Sequence, residues 1–143
     1  MEIRRLTEEE LNSLIETAPD TETRNLKRIL SIIGMSAYDF FNSYAVEHFG
    51  LINSRPLYFG CLINNGMGEK ELWTVVNSGV KEQLSLFKYS KRQIQEWSRK
   101  YSGIYATMEK CNHKNIEWTK RLGFIPTKET ENLITLRLGV DKC

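Results

Sequence analysis

The sequence predicts an α+β domain of about six to seven strands and about four helices. Three observations carry that reading. Apolar residues recur at helical spacing near the start of the chain and again over 81–101, with β-forming runs between. The β-rich middle is punctuated by two turn signals, Asn53-Ser54-Arg55 and Asn65-Gly66-Met67-Gly68. Residues 112–124, Asn-His-Lys-Asn-Ile-Glu-Trp-Thr-Lys-Arg-Leu-Gly-Phe, read as an amphipathic helix that stops sharply and feeds a strand.

Taken in order, residues 2–6 read as a short strand. Thr7 and Glu10 make a capping-box signature for a helix through about Thr17, with Leu11, Leu14 and Ile15 on one face. Pro19 breaks that helix, because proline has no N–H to donate and crowds the preceding turn. Asp20 or Thr21 starts a second helix, with Leu26, Ile29, Leu30 and Ile33 at helical spacing and Gly34 ending or bending it. A further helical turn runs through Tyr38, Phe40 and Phe41. Tyr44–Ile52 and Pro56–Asn64 are strands joined by the first turn signal, and Leu72–Val76 is a third, dense in β-formers and central.

The period changes over Lys81–Tyr101, where Leu84, Phe87, Ile94, Trp97 and Tyr101 share one helical face. The basic set Lys88, Lys91, Arg92, Arg99 and Lys100 reads as the solvated face of that helix. Gly103 ends the segment and Ile104–Met108 reads as a strand. Asn112 can cap the next helix, since its side-chain oxygen can accept from free backbone N–H groups. Lys120 and Arg121 sit at its end, where cations suit the helix dipole, and Gly123 is placed to take the left-handed cap conformation. Phe124–Thr127 and Leu133–Leu138 are the last two strands. Trp73, Trp97 and Trp118 all fall on elements with apolar faces and read as core or interface anchors.

The totals narrow the function classes. At 143 residues the chain is expected to be one domain, large enough for a real core. Its 41% apolar and 27% charged content is ordinary for a globular protein. A net charge of +2 does not indicate a nucleic-acid partner. Cys61, Cys111 and Cys143 are odd in number with no Cys-x-x-Cys spacing, so neither a disulfide framework nor a zinc site is expected and a reducing, cytoplasmic setting fits. His48 and His113 have no Cys or carboxylate at metal-ligand spacing, so no metal is expected. No secretory signal is read in residues 1–10, and no apolar run approaches the ~20 residues that span a bilayer, so no membrane role is expected.

Residues 112–124 resemble the penultimate helix and following strand of GNAT acyltransferases, whose pattern is Asn-x-x-Ala-x-x-x-Tyr-x-(Lys/Arg)-x-Gly-Phe. Asn112, Arg121, Gly123 and Phe124 match it; Asn115 replaces the small residue and Thr119 the tyrosine. The element order also resembles that superfamily, which implies a mixed, mostly antiparallel sheet. The resemblance implies acetyl-CoA in a splay between Leu72–Val76 and Ile104–Met108, with its pyrophosphate at the start of the following helix. The corresponding stretch, Val76 to Leu84, has one glycine, Gly79, and no Gly-x-Gly; Lys81 could meet a phosphate and Glu82 opposes one. Val76, Gly79, Lys81 and Asn112 are the candidate cofactor-binding residues.

The family's tyrosine is its usual general acid. Thr119 stands in its place, and an alcohol is a far weaker acid than a phenol of pKa ~10. Tyr105, on the preceding strand, is the candidate substitute. Glu71, at the start of the central strand, and His48, with its suitable intrinsic pKa, are the candidate general bases, with Glu47 and Glu109 behind them. Because the pyrophosphate loop and the tyrosine are both missing, the first reading is a non-catalytic structural or interaction component with no cofactor. The pattern also resembles small GNAT-like proteins of tailed bacteriophages, some of them virion-associated. That reading implies a protein partner, met through a strand edge or apolar patch, in the host cytoplasm or the virion. The apolar segment Ala37–Tyr44 reads either as an interface, which makes a second copy of the chain another candidate partner, or as the core face of the second helix. The alternative reading is an acetyl-CoA-dependent N-acetyltransferase of an amine with an atypical site.

Overall fold

The computed structural model describes residues 1–77 and 81–139. Along the chain run β1 (Glu2–Arg4), α1 (Glu8–Thr17), α2 (Asp20–Ile33), α3 (Ala37–Tyr44), β2 (Ala45–Ile52), β3 (Pro56–Asn64), β4 (Lys70–Val76), α4 (Gln83–Lys100), β5 (Ile104–Glu109), α5 (His113–Arg121), β6 (Phe124–Glu129) and β7 (Leu133–Leu138). The strands form one sheet in the order β1-β2-β3-β4-β5-β7-β6. Every pairing is antiparallel except β4 with β5.

Helices cover both faces. From α1, α2 and α3, Leu11, Leu14, Leu26, Phe40 and Phe41 pack with Phe59, Cys61 and Val75 of the sheet. From α4 and α5, Leu86, Ile94, Trp97 and Ile116 pack on the opposite face with Tyr58, Leu62, Leu72 and Val76. The pleat explains the division along β4: Trp73 and Val75 face α1–α3, and Leu72 and Val76 face α4 and α5.

The local signals act as the residues dictate. Thr7 accepts from the Glu10 N–H at 3.2 Å while Glu10 accepts from the Thr7 N–H at 2.9 Å, and Arg4 holds the Glu10 carboxylate from β1. That ion pair and the capping bond keep Glu10 at about 2. Gly34 closes α2 at φ 70°. The Asn112 side chain accepts from the Asn115 N–H and caps α5. After α5, Gly123 adopts φ 103°, and a Cβ built there would meet only Leu138 Cδ1 at an ordinary 3.6 Å. The cost of Gly123→Val is therefore backbone strain, about 1–3 kcal/mol. The melting temperature is expected to drop by several degrees, and an unchanged value would contradict this helix end.

Two elements depart from the sequence expectation. The helical turn near Tyr38 is a full helix, α3, making five helices among the described residues. Ser36 caps it, accepting from the Asp39 N–H at 3.2 Å, and Tyr44 closes it instead of opening β2. The core stripe of α4 is Leu86, Ser90, Ile94 and Trp97, and Leu84 is 89% exposed. At about 100° per residue, Leu84 lies on the far side from Leu86. Ser90 can join the stripe because its hydroxyl donates to the Leu86 carbonyl at 2.7 Å.

Candidate functional site

Strands β4 and β5 pair only at Lys70–Ile104 and Glu71–Tyr105. Beyond that point each keeps its outer neighbour: β4 stays in register with β3 as far as Val76, and β5 with β7 as far as Glu109. Their inner edges part. The Lys70 N–H donates to Gly103 on the β5 side, and the Asn77 N–H donates to Leu57 on the β3 side. Backbone groups alternate in direction along a strand, and the β3–β4 register runs unbroken. The N–H groups of Leu72, Thr74 and Val76 therefore point into the gap.

A cavity opens toward the gap from each face of the sheet. One, of about 200 Å³, lies on the α1–α3 side and is lined by residues including Glu71, Trp73, Thr107 and Glu109. The other, of about 370 Å³, lies on the α4–α5 side, among Val76, His113, Lys114, Trp118 and Arg121. Glu22 and Asn115 line both. The Glu22 Oε2 atom is buried without a hydrogen-bond partner. Burial pushes this carboxyl up to about 7, with the Asn112 side chain opposing the shift. Burial also raises Glu71, partly offset by the neighbouring Trp73 side chain.

Asn112 is 7% exposed and acts as a strut. Its Nδ2 donates to the Thr21 carbonyl at 3.3 Å while its Oδ1 receives the Asn115 N–H, tying the start of α5 to the start of α2. It lines the cavity under α2 and is absent from the α4–α5 cavity lining, so it supports the gap without facing the expected cofactor side. Thr119 is 3% exposed, and its hydroxyl donates to the Asn115 carbonyl at 2.7 Å. Its proton is engaged within its own helix.

The structure does not bring every candidate to the gap. The Tyr105 hydroxyl accepts from Asn65 Nδ2 in the β3–β4 turn, its ring lies 5.4 Å from the Arg137 guanidinium, and it lines neither cavity. His48 sits on β2 opposite Cys61, one strand removed from β4, with its ring 6.0 Å from that of Phe59; it too lines neither cavity. Burial, with a contribution from Arg5, lowers the His48 pKa. Glu47 is bound to Lys100 and Glu109 to Arg24. Val76 lines the α4–α5 cavity; Lys81 is exposed and lines neither; Gly79 lies outside the described residues. At the head of α4, Glu82 makes no side-chain capping bond, and its Oε2 is buried without a partner.

Glu22 lines both cavities, and sequence reasoning misses it. In the first turn of a helix an acidic side chain reads as a complement to the helix dipole. Only the placement of α2 over the gap gives it another role, and no local pattern announces that placement. Among the described residues, no group of three or more His, Cys, Asp or Glu side chains is arranged to hold a metal ion, and no helix is long and apolar enough to cross a membrane.

No protein-family model matches the chain, and no curated protein sequence matches it. Solved structures do. An acetyltransferase from Bacillus subtilis in complex with CoA superposes with a TM-score of 0.67 at 12% identity, covering 97% of each chain. The GNAT domain of S. lividans PAT gives 0.64 at 14% identity over 94% of this chain and 88% of its own. A ribosomal-protein-alanine N-acetyltransferase from Brucella melitensis gives 0.63 at 14% identity over 96% and 98%. The chain therefore has the GNAT fold: an open, mostly antiparallel sheet with a splayed central pair.

Proposed function

We propose that this GNAT-fold chain is an acyl-CoA-dependent N-acyltransferase, with the acyl donor entering from the α4–α5 side and an amine from the α1–α3 side. The observation that carries the reading is the meeting of two cavities at Glu22, in a gap that also receives backbone N–H groups from β4. The residues present fit the thioester arm of such a donor. The inward N–H groups of Thr74 and Val76 offer donors, Trp118 offers apolar surface, and His113, Lys114 and Arg121 offer donors and positive charge. They do not favour a diphosphate at the head of α4, where Glu82 stands. When bound, the thioester supplies an activated acyl group.

The remaining chemistry belongs to the chain. Glu22, partly ionised near neutrality, takes a proton from the amine. The Val76 or Thr74 N–H steadies negative charge developing on the acyl oxygen. Thr119 cannot deliver a proton, so protonation of the departing sulfur falls to water. Calorimetry with CoA tests the reading: binding at micromolar cofactor is expected, and no binding at millimolar cofactor would defeat it.

A second reading has its own support. The engaged Thr119 hydroxyl and the Glu82 carboxylate at the head of α4 suit a GNAT-fold component that works by binding, without CoA. A virion-associated protein of a tailed phage, in the virion or the host cytoplasm, belongs to this reading. The exposed edge strand β1, with Ile3 outward, is the surface it would offer a protein partner or a second copy. Failure of CoA binding selects it.

A further inference from the structure

The chamber under α2 has an uneven chemistry. Three carboxyl groups line it, from Glu22, Glu71 and Glu109, and among the described residues no Lys, Arg or His does. Its apolar wall includes three aromatic side chains, Phe41, Phe59 and Trp73, beside aliphatic ones such as Leu26, Ile29 and Val75. The aromatics brace one another, with Phe41 and Phe59 ring centroids 4.7 Å apart and Phe41 and Trp73 6.2 Å apart. Two arginines of α2 pair with side chains that line the chamber, Arg24 with Glu109 and Arg28 with Asn25, while His113, Lys114 and Arg121 line the other cavity. The Glu22 oxygen without a partner is left for whatever enters.

A carboxyl-lined chamber with an aromatic wall suits a cation on an apolar stem, because aromatic faces and carboxylates both attract ammonium. It penalises a carboxylate, which would meet like charge with no guanidinium to receive it. A cavity of ~150 Å³ can hold benzene, so about 200 Å³ admits a five-carbon amine. Resting on the transferase reading above, we infer that the acceptor is a small primary alkylammonium with no carboxylate beside its nitrogen, held by Glu22 and Glu71 against the Phe41–Phe59–Trp73 wall.

The inference assigns selectivity within the chamber. Glu22 is shared with the donor side, whereas Glu71 lines only the acceptor side. Glu71 is therefore the residue that separates ammonium from its uncharged and zwitterionic analogues. Binding of the cation favours the ionised form of Glu22, so affinity rises with pH as its proton leaves. Glu109, neutralised by Arg24, contributes less.

The test is direct binding by calorimetry without CoA, using three ligands that differ at one end: n-pentylamine, norleucine (pentylamine with a carboxylate beside the nitrogen) and 1-pentanol. At pH 8 pentylamine is expected to bind at least about tenfold more tightly than either analogue, and several-fold more weakly at pH 6. Norleucine or pentanol binding as tightly as pentylamine, or no binding of any of the three, would overturn the inference. Glu71→Gln is expected to remove most of the preference, with melting curves confirming a folded variant; retained preference in the folded variant overturns the role of Glu71. If that variant does not fold, the three-ligand comparison on the native chain decides alone. A chain that ignores CoA yet prefers pentylamine keeps the ammonium site and loses the transferase reading. A chain that binds CoA without that preference loses only this inference.

Discussion

Glu22→Gln is expected to slow acyl transfer by about 10²–10⁴-fold, the usual contribution of a positioned acid–base group, while making the protein more stable above pH 7. The two effects share one cause. The folded carboxyl titrates at about 7 against an ordinary value of 4.5, because burial disfavours its charge. Below 4.5 both folded and unfolded chains hold the proton. Between 4.5 and 7 the unfolded chain releases it and the folded chain keeps it, so stability falls as pH rises through that window. A difference of 2.5 pH units corresponds to about 3 kcal/mol at most. Glutamine carries no such penalty. Urea unfolding should show the variant ahead of the native protein by roughly 2–3 kcal/mol at pH 8, with the gap closing toward pH 4.5. A gap independent of pH would contradict a buried acid at this position, and undiminished turnover would remove Glu22 as the base.

Trp97→Ala should be the most damaging single truncation in the core, at about 3–5 kcal/mol. The side chain is 2% exposed on the stripe of α4 and meets the Phe49 ring edge-on at 5.4 Å. Against a total stability of about 5–15 kcal/mol, that loss removes a large share of the folding free energy. Trp97→Phe should lose much less. Phenylalanine keeps most of the apolar area, and it removes an indole N–H that is buried without a partner, a group whose isolation costs about 1–3 kcal/mol. Denaturation midpoints for the two variants decide the point; equal losses would mean that the indole nitrogen has a partner in solution.

Features written in adjacent residues are legible from the sequence alone. The Thr7–Glu10 box, the Asn112 cap and the left-handed Gly123 each depend on residues within a turn of one another, and each forms. The hairpin between β2 and β3 is likewise local, with Ser54 taking a positive φ at its tip. Burial on α4 is less legible, because Leu84 differs from Leu86 only in which side of the helix meets the sheet, and that is settled by distant contacts. The same distance effect governs the site. Residue type and strand end point to Glu71, and it does line a cavity. His48 has suitable chemistry but lies a strand away, and Glu22 has ordinary chemistry but lies where two openings meet.

The parted inner edge of β4 has a consequence for cohesion. The two halves of the sheet share only the short ladder from Lys70 to Glu71, so beyond it side-chain packing and ion pairs, rather than backbone pairing, hold them together. A guest that supplied polar atoms along Thr74 and Val76 would act as a missing strand and suture the halves. A ligand bound there would then add backbone pairing that the central strands lack and raise the stability of the folded state.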